Sequence, residues 1–164
     1  MKKRLLASLC AVLLPATLAL ATAEYDYGVD EFVTVQKGMS PDHKYAITAH
    51  GGSEQRDEFL RIYLTNAVTG KKIGPLEEIK EHLDTAAEAF AAKWSKDSQE
   101  VTIVWRIDRH EPLRVVAYHI ANGRARAIKG PTNANKEETN LWAKLCGGDH
   151  PAPPEKVWGT PIKQ

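Results

Sequence analysis

The amino-acid sequence predicts a mostly β protein, with two four-stranded antiparallel meanders in tandem, a short helix connecting them and a C-terminal helix. Three observations carry that expectation. Short runs rich in β-branched and aromatic residues recur between residues 32 and 129, the composition that half-buried pleated surfaces favour. Turn signals separate the runs. Three landmarks also recur in the same order: Ser40-Pro41-Asp42-His43 and Ser95-Lys96-Asp97-Ser98 lie 55 residues apart. Leu60-Arg61-Ile62 and Leu113-Arg114-Val115, like Thr69-Gly70-Lys71 and Asn122-Gly123-Arg124, lie 53 apart. The drift of two residues falls in a loop, where a change of length costs little.

Taken in order, the first repeat covers residues 32–73 and holds strands at 32–35, 45–49, 60–65 and 71–73. Ser40 and Asp42 make a turn because their side chains bond nearby backbone N–H groups, and Pro41 presets its own φ. Gly70 and Gly123 tolerate positive φ between apolar runs, which marks hairpins. In the connector, Pro75 sits where a helix starts, and Leu76, Ile79, Leu83, Ala87 and Phe90 recur at helical spacing. The helix is expected to end near Asp84, because the second repeat needs its first strand. That repeat covers 90–129, with strands at 90–94, 101–106, 113–120 and 124–129.

After Pro131 the pattern changes. Asn135 with Glu138 three residues on reads as a capping box; Leu141, Trp142 and Leu145 supply an apolar stripe, and Gly147-Gly148 ends it. Covering an open sheet edge is the expected task of this helix. Four prolines between Asp149 and Gln164 then predict an extended tail, with Trp158 able to tuck back onto the domain.

The Ser-Pro-Asp-x turn after a strand, followed by a strand, a loop, another strand and a Thr-Gly-Lys hairpin, resembles the blade repeat of WD-type and Tol-type β-propellers. The resemblance spans residues 32–130, and Trp94-Ser95-Lys96-Asp97-Ser98 is similar to a degenerate copy of the same turn. The turn's usual glycine is replaced by His43 in one copy and Ser98 in the other, and neither third strand ends in Trp-Asp. A closed propeller needs about four to eight blades. With only two, the expected arrangement is a monomer whose two sheets face one another. The resemblance implies a domain that presents loop rims and strand edges to partners.

Composition and the N-terminus point to a compartment. Of 164 residues, 43% are hydrophobic and 26% charged, an ordinary globular balance. Lys2, Lys3 and Arg4 precede an uncharged run to Ala23 that ends Ala21-Thr22-Ala23, which reads as a signal peptide of residues 1–23. Export to the periplasm or outside the cell is therefore expected, with no stable membrane anchor after cleavage. Without the three leading cations, 19 basic residues stand against the 21 acidic ones, a net charge of −2. Such a balance offers no electrostatic footprint for nucleic acid. Residues 24–130 form the two-repeat domain, and 131–164 the helix and Pro-rich tail. Cleavage leaves Cys146 as the single cysteine, so no intrachain disulfide is expected.

The search for chemistry returns one cluster. None of the six histidines stands in a zinc-binding pattern, and no nucleophile elbow, phosphate loop or dinucleotide fingerprint occurs, so neither metal nor cofactor is expected. Arg106, Asp108, Arg109 and His110, with Glu111, crowd the loop joining two strands of the second repeat. Arginine offers forked donors to a carboxylate, so these four are the candidate ligand-binding residues. The matching loop of the first repeat, residues 51–58, is also charged, and the two loops would frame one rim if they lay at the same end. The favoured function is a non-enzymatic exported domain that binds a protein or peptide. The alternatives are a hydrolase using His110 with Asp108 or Glu111, and a structural domain assembling through open strand edges.

Overall fold

The computed structural model describes residues 25–51, 59–148 and 151–161, and the expected signal peptide lies outside them. Four strands come first: β1 (Phe32–Met39), β2 (Tyr45–His50), β3 (Arg61–Asn66) and β4 (Lys72–Pro75). A 3-10 turn (Ala87–Ala89) leads into β5 (Ala91–Trp94), β6 (Glu100–Trp105), β7 (Arg114–Ala121) and β8 (Arg124–Asn133), followed by α1 (Lys136–Cys146) and the two-residue β9 (Val157–Trp158). All eight expected extended runs are strands, with ends moved by a few residues.

The strands form one mixed sheet in the order β4-β3-β2-β1-β5-β6-β7-β8. Successive strands pair antiparallel within β1–β4 and within β5–β8. Between β1 and β5 the pairing is parallel, at Gln36 opposite Ala91, with the Gln36 N–H donating to the Phe90 carbonyl at 3.0 Å. The expected pair of facing sheets is therefore corrected to a single sheet. It curls until β4 approaches β8, a half-barrel. Curling buries the same alternating side chains that stacking would, and it leaves no open edge in the middle of the molecule.

Alternation along the strands decides what each face buries. Val33, Val35, Ile47, Ile62 and Leu64 from one half join Val101, Ile103, Trp105, Val116 and Tyr118 from the other in one core inside the curl. On the outer face, Ala91, Val104 and Val115 meet Trp142 of α1. The helix begins where the capping box placed it: the Asn135 side chain accepts from the Glu138 N–H, and the Glu138 carboxylate accepts from the Asn135 N–H. It packs on the faces of β5 and β6 rather than on an edge, with Trp142 Nε1 donating to the Ala89 carbonyl at 2.8 Å.

The connecting helix is also corrected. Leu76 and Ile79 are buried as expected, but the Ile79 N–H closes only a single local turn onto the Leu76 carbonyl, and the backbone on either side is engaged elsewhere. Leu76 N–H donates to Ile62 O, Leu83 N–H donates to Arg106 O, and Pro75 ends a strand instead of starting a helix. Two short apolar clusters, 76–79 and 87–90, happen to fall at helical spacing while each turns into the same core.

The two Ser-x-Asp turns use one hydrogen-bond set. Ser40 Oγ donates to Asp42 Oδ1 at 2.8 Å and accepts from Tyr45 N–H at 3.0 Å; Ser95 Oγ donates to Asp97 Oδ1 at 2.6 Å and accepts from Glu100 N–H at 2.8 Å. His43 and Ser98 both take positive φ, +57° and +62°, where glycine would be the unstrained choice. Asp42 N–H donates to Ser98 Oγ, so the two turns touch.

Residues 151–161 run along β1 and reach the turn between β3 and β4. Thr34 and Lys156 bond reciprocally, Lys156 Nζ reaches the Ala67 carbonyl, and β9 pairs with the start of β1 along the side it shares with β5. The expected folding back of Trp158 is observed, against Gly70.

The turns make stability acid-sensitive in a defined sense. The Ser95 hydroxyl and the Gln99 N–H hold the Asp97 carboxyl below the usual range. At Asp42 burial works upward, but hydrogen bonds from Lys44 N–H and the Ser40 hydroxyl prevail and lower it. A folded pKa below the unfolded one contributes stability that is present above the ordinary Asp range and is lost as pH falls through the lowered value. The Lys44 and Gln99 amide resonances should therefore shift only below the ordinary Asp range, and Asp97→Asn should abolish the change at Gln99. An amide that moves at the ordinary Asp value would count against these turns.

Candidate functional site

The parallel contact of β1 with β5 sets the geometry of the sheet ends. Because those two strands run the same way, β2 and β6 do too, so the β2–β3 and β6–β7 connections emerge at the same end. The β4–β5 connection and residues 25–31 lie there as well, whereas the Ser-x-Asp turns and the hairpins at Gly70 and Gly123 lie at the opposite end. Both connections thus open onto one rim, and the described charged residues there are those of the β6–β7 connection, Asp108 to Glu111. Of the first loop, residues 52–58 lie outside those described; Phe59, which follows them, is 84% exposed.

The four sequence candidates separate into a buried residue and an exposed turn. Arg106 is buried, and its Nε and Nη2 each donate at 2.6 Å to the two oxygens of Asp84, which is also buried. The Trp142 ring stacks near the guanidinium, 5.7 Å from its carbon. The hydrogen bonds with Asp84 raise the Arg106 pKa against the opposing effect of burial. Arg106 thus ties the connector, the last strand residue of β6 and α1 together. Asp108, Arg109 and His110 are exposed. Asp108 Oδ1 accepts from the His110 backbone N–H at 2.7 Å, which shapes a side-chain-stabilised turn and engages the backbone of His110 rather than its imidazole. Among the described residues, no three His, Cys, Asp or Glu side chains converge to hold a metal.

Beneath the rim lies a polar floor that sequence reasoning missed. Glu31 is fully buried: its Oε1 accepts from the Tyr25 hydroxyl at 2.7 Å and its Oε2 from the Gly28 N–H at 2.8 Å. Burial, then the Glu31 carboxylate, pushes the Tyr25 hydroxyl up to about 12. His50 Nδ1 bonds the Glu31 carbonyl, and its ring stacks on Phe32 with centroids 4.4 Å apart. His82 bridges two carbonyls, those of Asp84 (2.9 Å) and Leu60 (3.1 Å). Burial raises the Tyr118 hydroxyl, which donates to Glu78. No motif marks these residues in the sequence; only isolated charged or polar residues beside apolar runs hint at them.

Cys146 lies between α1 and the sheet. Burial, then the nearby Asp84 and Glu88 carboxylates, pushes its thiol up to about 12, so it carries almost no thiolate at neutral pH. Elsewhere, a shallow pocket of about 160 Å³ opens between Lys144, Leu145 and the tail at Pro151–Pro153, beside Gln36 and away from the rim. No helix among the described residues is long and apolar enough to cross a membrane. Comparison of the chain with protein-family models, with curated proteins and with solved structures finds no match.

Two outcomes test this arrangement. Asp84→Ala leaves the Arg106 guanidinium buried without its main partner and should cost about 3–5 kcal/mol in chemical denaturation. The double replacement Asp84→Leu with Arg106→Met should recover most of that loss. Cys146 should resist iodoacetamide at pH 8 in the folded protein and react on unfolding; rapid native labelling would contradict its burial.

Proposed function

We propose that the chain is an exported, non-enzymatic domain, delivered to the periplasm or outside the cell, that binds a protein or peptide on its loop rim. The observation that carries the reading is the shared end: with β1 and β5 parallel, the β2–β3 and β6–β7 connections, from corresponding places in the chain, leave the sheet at the same end. At that rim Asp108, Arg109, His110 and Glu111 are exposed on a turn held by the Asp108 carboxylate, with Phe59 beside the other connection. An exposed aromatic ring and exposed charged groups at the same end of the sheet suit a peptide, which offers both apolar side chains and main-chain polar groups.

The finer architecture belongs to the same proposal. Each half is a propeller-blade-like, four-stranded antiparallel meander. Support comes from the sequential pairing within β1–β4 and within β5–β8, and from the identical hydrogen bonds of the two Ser-x-Asp turns. Blade-like units of this sort would act as a rigid scaffold that aims variable loops in one direction. Arg106 then serves as a positioning residue at the root of the loop, and Asp108, Arg109 and His110 face the partner.

Peptides selected on the wild-type protein from a random display library provide the test. Arg109→Ala combined with His110→Ala should weaken their binding about tenfold, equivalent to about 1.4 kcal/mol, while leaving the melting temperature nearly unchanged. Equal affinity for the variant removes this loop from the site.

A further inference from the structure

We propose that the outer edge of β8 is a strand-addition site for an acidic, extended peptide, on a surface separate from the rim. β8 is the longest strand, ten residues, and it ends the sheet. Its inner edge pairs with β7 from Arg124 opposite Ala121 to Asn133 opposite Arg114. No strand among the described residues pairs with its outer edge; β4 approaches it as the sheet curls, yet no ladder joins them. Unpaired N–H and C=O groups along such an edge are a template for another strand.

The side chains choose the partner. Ala125 and Ala127 turn toward the core, half-buried, while Arg124 and Arg126 between them are exposed. Neither arginine makes an ion pair with a described residue; Glu77, exposed on the β4 side, is felt by Tyr118 but reaches neither arginine as an ion pair, and the other carboxylates nearby are engaged or distant. Glu138 is paired with Lys129 at 2.9 Å, and Glu78 accepts the Tyr118 hydroxyl. Glu100 lies two strands away from Arg126, beyond His119, a separation of about 10 Å from the strand spacing. Across the opening, Lys71 just before β4 is exposed too and adds positive charge, whereas the Lys72 ammonium lies over the Phe32 ring, 4.4 Å from its centroid, and is turned away from the edge.

This charge pattern argues against a second copy of the chain as the occupant. Two β8 edges paired antiparallel about Ala125 would set Arg124 against Arg126, like charges that destabilise a ladder, and registers centred farther along would run the edge against Pro131, which has no N–H to donate. A strand with Glu or Asp at alternate positions would instead bring carboxylates to about 5 Å from Arg124 and Arg126 at the Cβ level, while its backbone completes the ladder. Ile128, 51% exposed on the same edge, offers an apolar contact to one more side chain.

The probe is a fluorescein-labelled, end-capped peptide of about seven residues that alternates Glu and Val, long enough for one strand. Anisotropy should show saturable binding to the purified protein, weakened at least about tenfold by Arg124→Glu with Arg126→Glu. Arg124→Gln with Arg126→Gln should give an intermediate loss, and a melt of each variant checks folding. N-methylation of alternate peptide amides should also abolish binding, since it removes the ladder and keeps the charge. Arg109→Ala with His110→Ala should leave this peptide's affinity unchanged, so the two surfaces fail or stand separately. Equal binding of the N-methylated peptide, no saturation at millimolar concentration, or dimerisation of the protein through β8 would each overturn the proposal.

Discussion

The parallel contact of β1 with β5 is the constraint from which the rest of the structure follows. Each half of the chain has strands with two apolar faces and two open edges, more surface than a single four-stranded sheet is able to cover alone. Joining the halves edge to edge through Gln36 and Ala91 removes one open edge from each. It also lets the sheet curl so that Ile47 and Leu64 of one half reach a core shared with Ile103 and Val116 of the other. The same parallel direction brings equivalent loops to one end. Architecture and the placement of the rim are therefore one consequence of one pairing.

The outer face needs a different solution, and the C-terminal third supplies it. α1 covers the second half, where Trp142 closes over Ala91, Val104 and Val115. Residues 151–161 line β1 of the first half, where Lys156 bonds Thr34 and reaches on to the Ala67 carbonyl. At the join between helix and sheet stands the Arg106–Asp84 pair. A buried ion pair is weak evidence for stability in itself, because desolvation cancels much of its attraction. What it does supply is direction: the two-pronged geometry fixes the connector against β6 at one register, and a misplaced connector would leave a buried charge exposed to nothing that solvates it.

Local chemistry was legible in the sequence; long-range partnership was not. The Ser-x-Asp turns, the strands they separate and the capping box at Asn135 all depend on residues within six positions of one another, and all appear where expected. The connector was misread because Leu76, Ile79 and Phe90 match a helical period, although tertiary hydrogen bonds to Ile62 and Arg106 override it. The single curled sheet depends on which edges meet, and period-two patterning is silent about that. The candidate loop shows the same division. Its charge density was visible, but whether Arg106 faces solvent or Asp84 depends on a residue 22 positions away.

This division also bears on where function sits. Arg106 was chosen for its guanidinium, and the structure uses that group inside the molecule; the exposed residues that remain lie on a turn whose shape is set by Asp108 and a backbone amide. A turn held by such a local bond keeps its form without contributing to the core, so its side chains are able to vary with little loss of stability. The edge of β8 is constrained differently: its backbone is fixed by β7, and only its outward groups are uncommitted. One surface is thus adaptable in side chain and the other preset in backbone. A partner proposed for the first would have to match it by side-chain complementarity, and one proposed for the second would have to be already able to extend, because the ordering cost there falls mainly on the incoming strand.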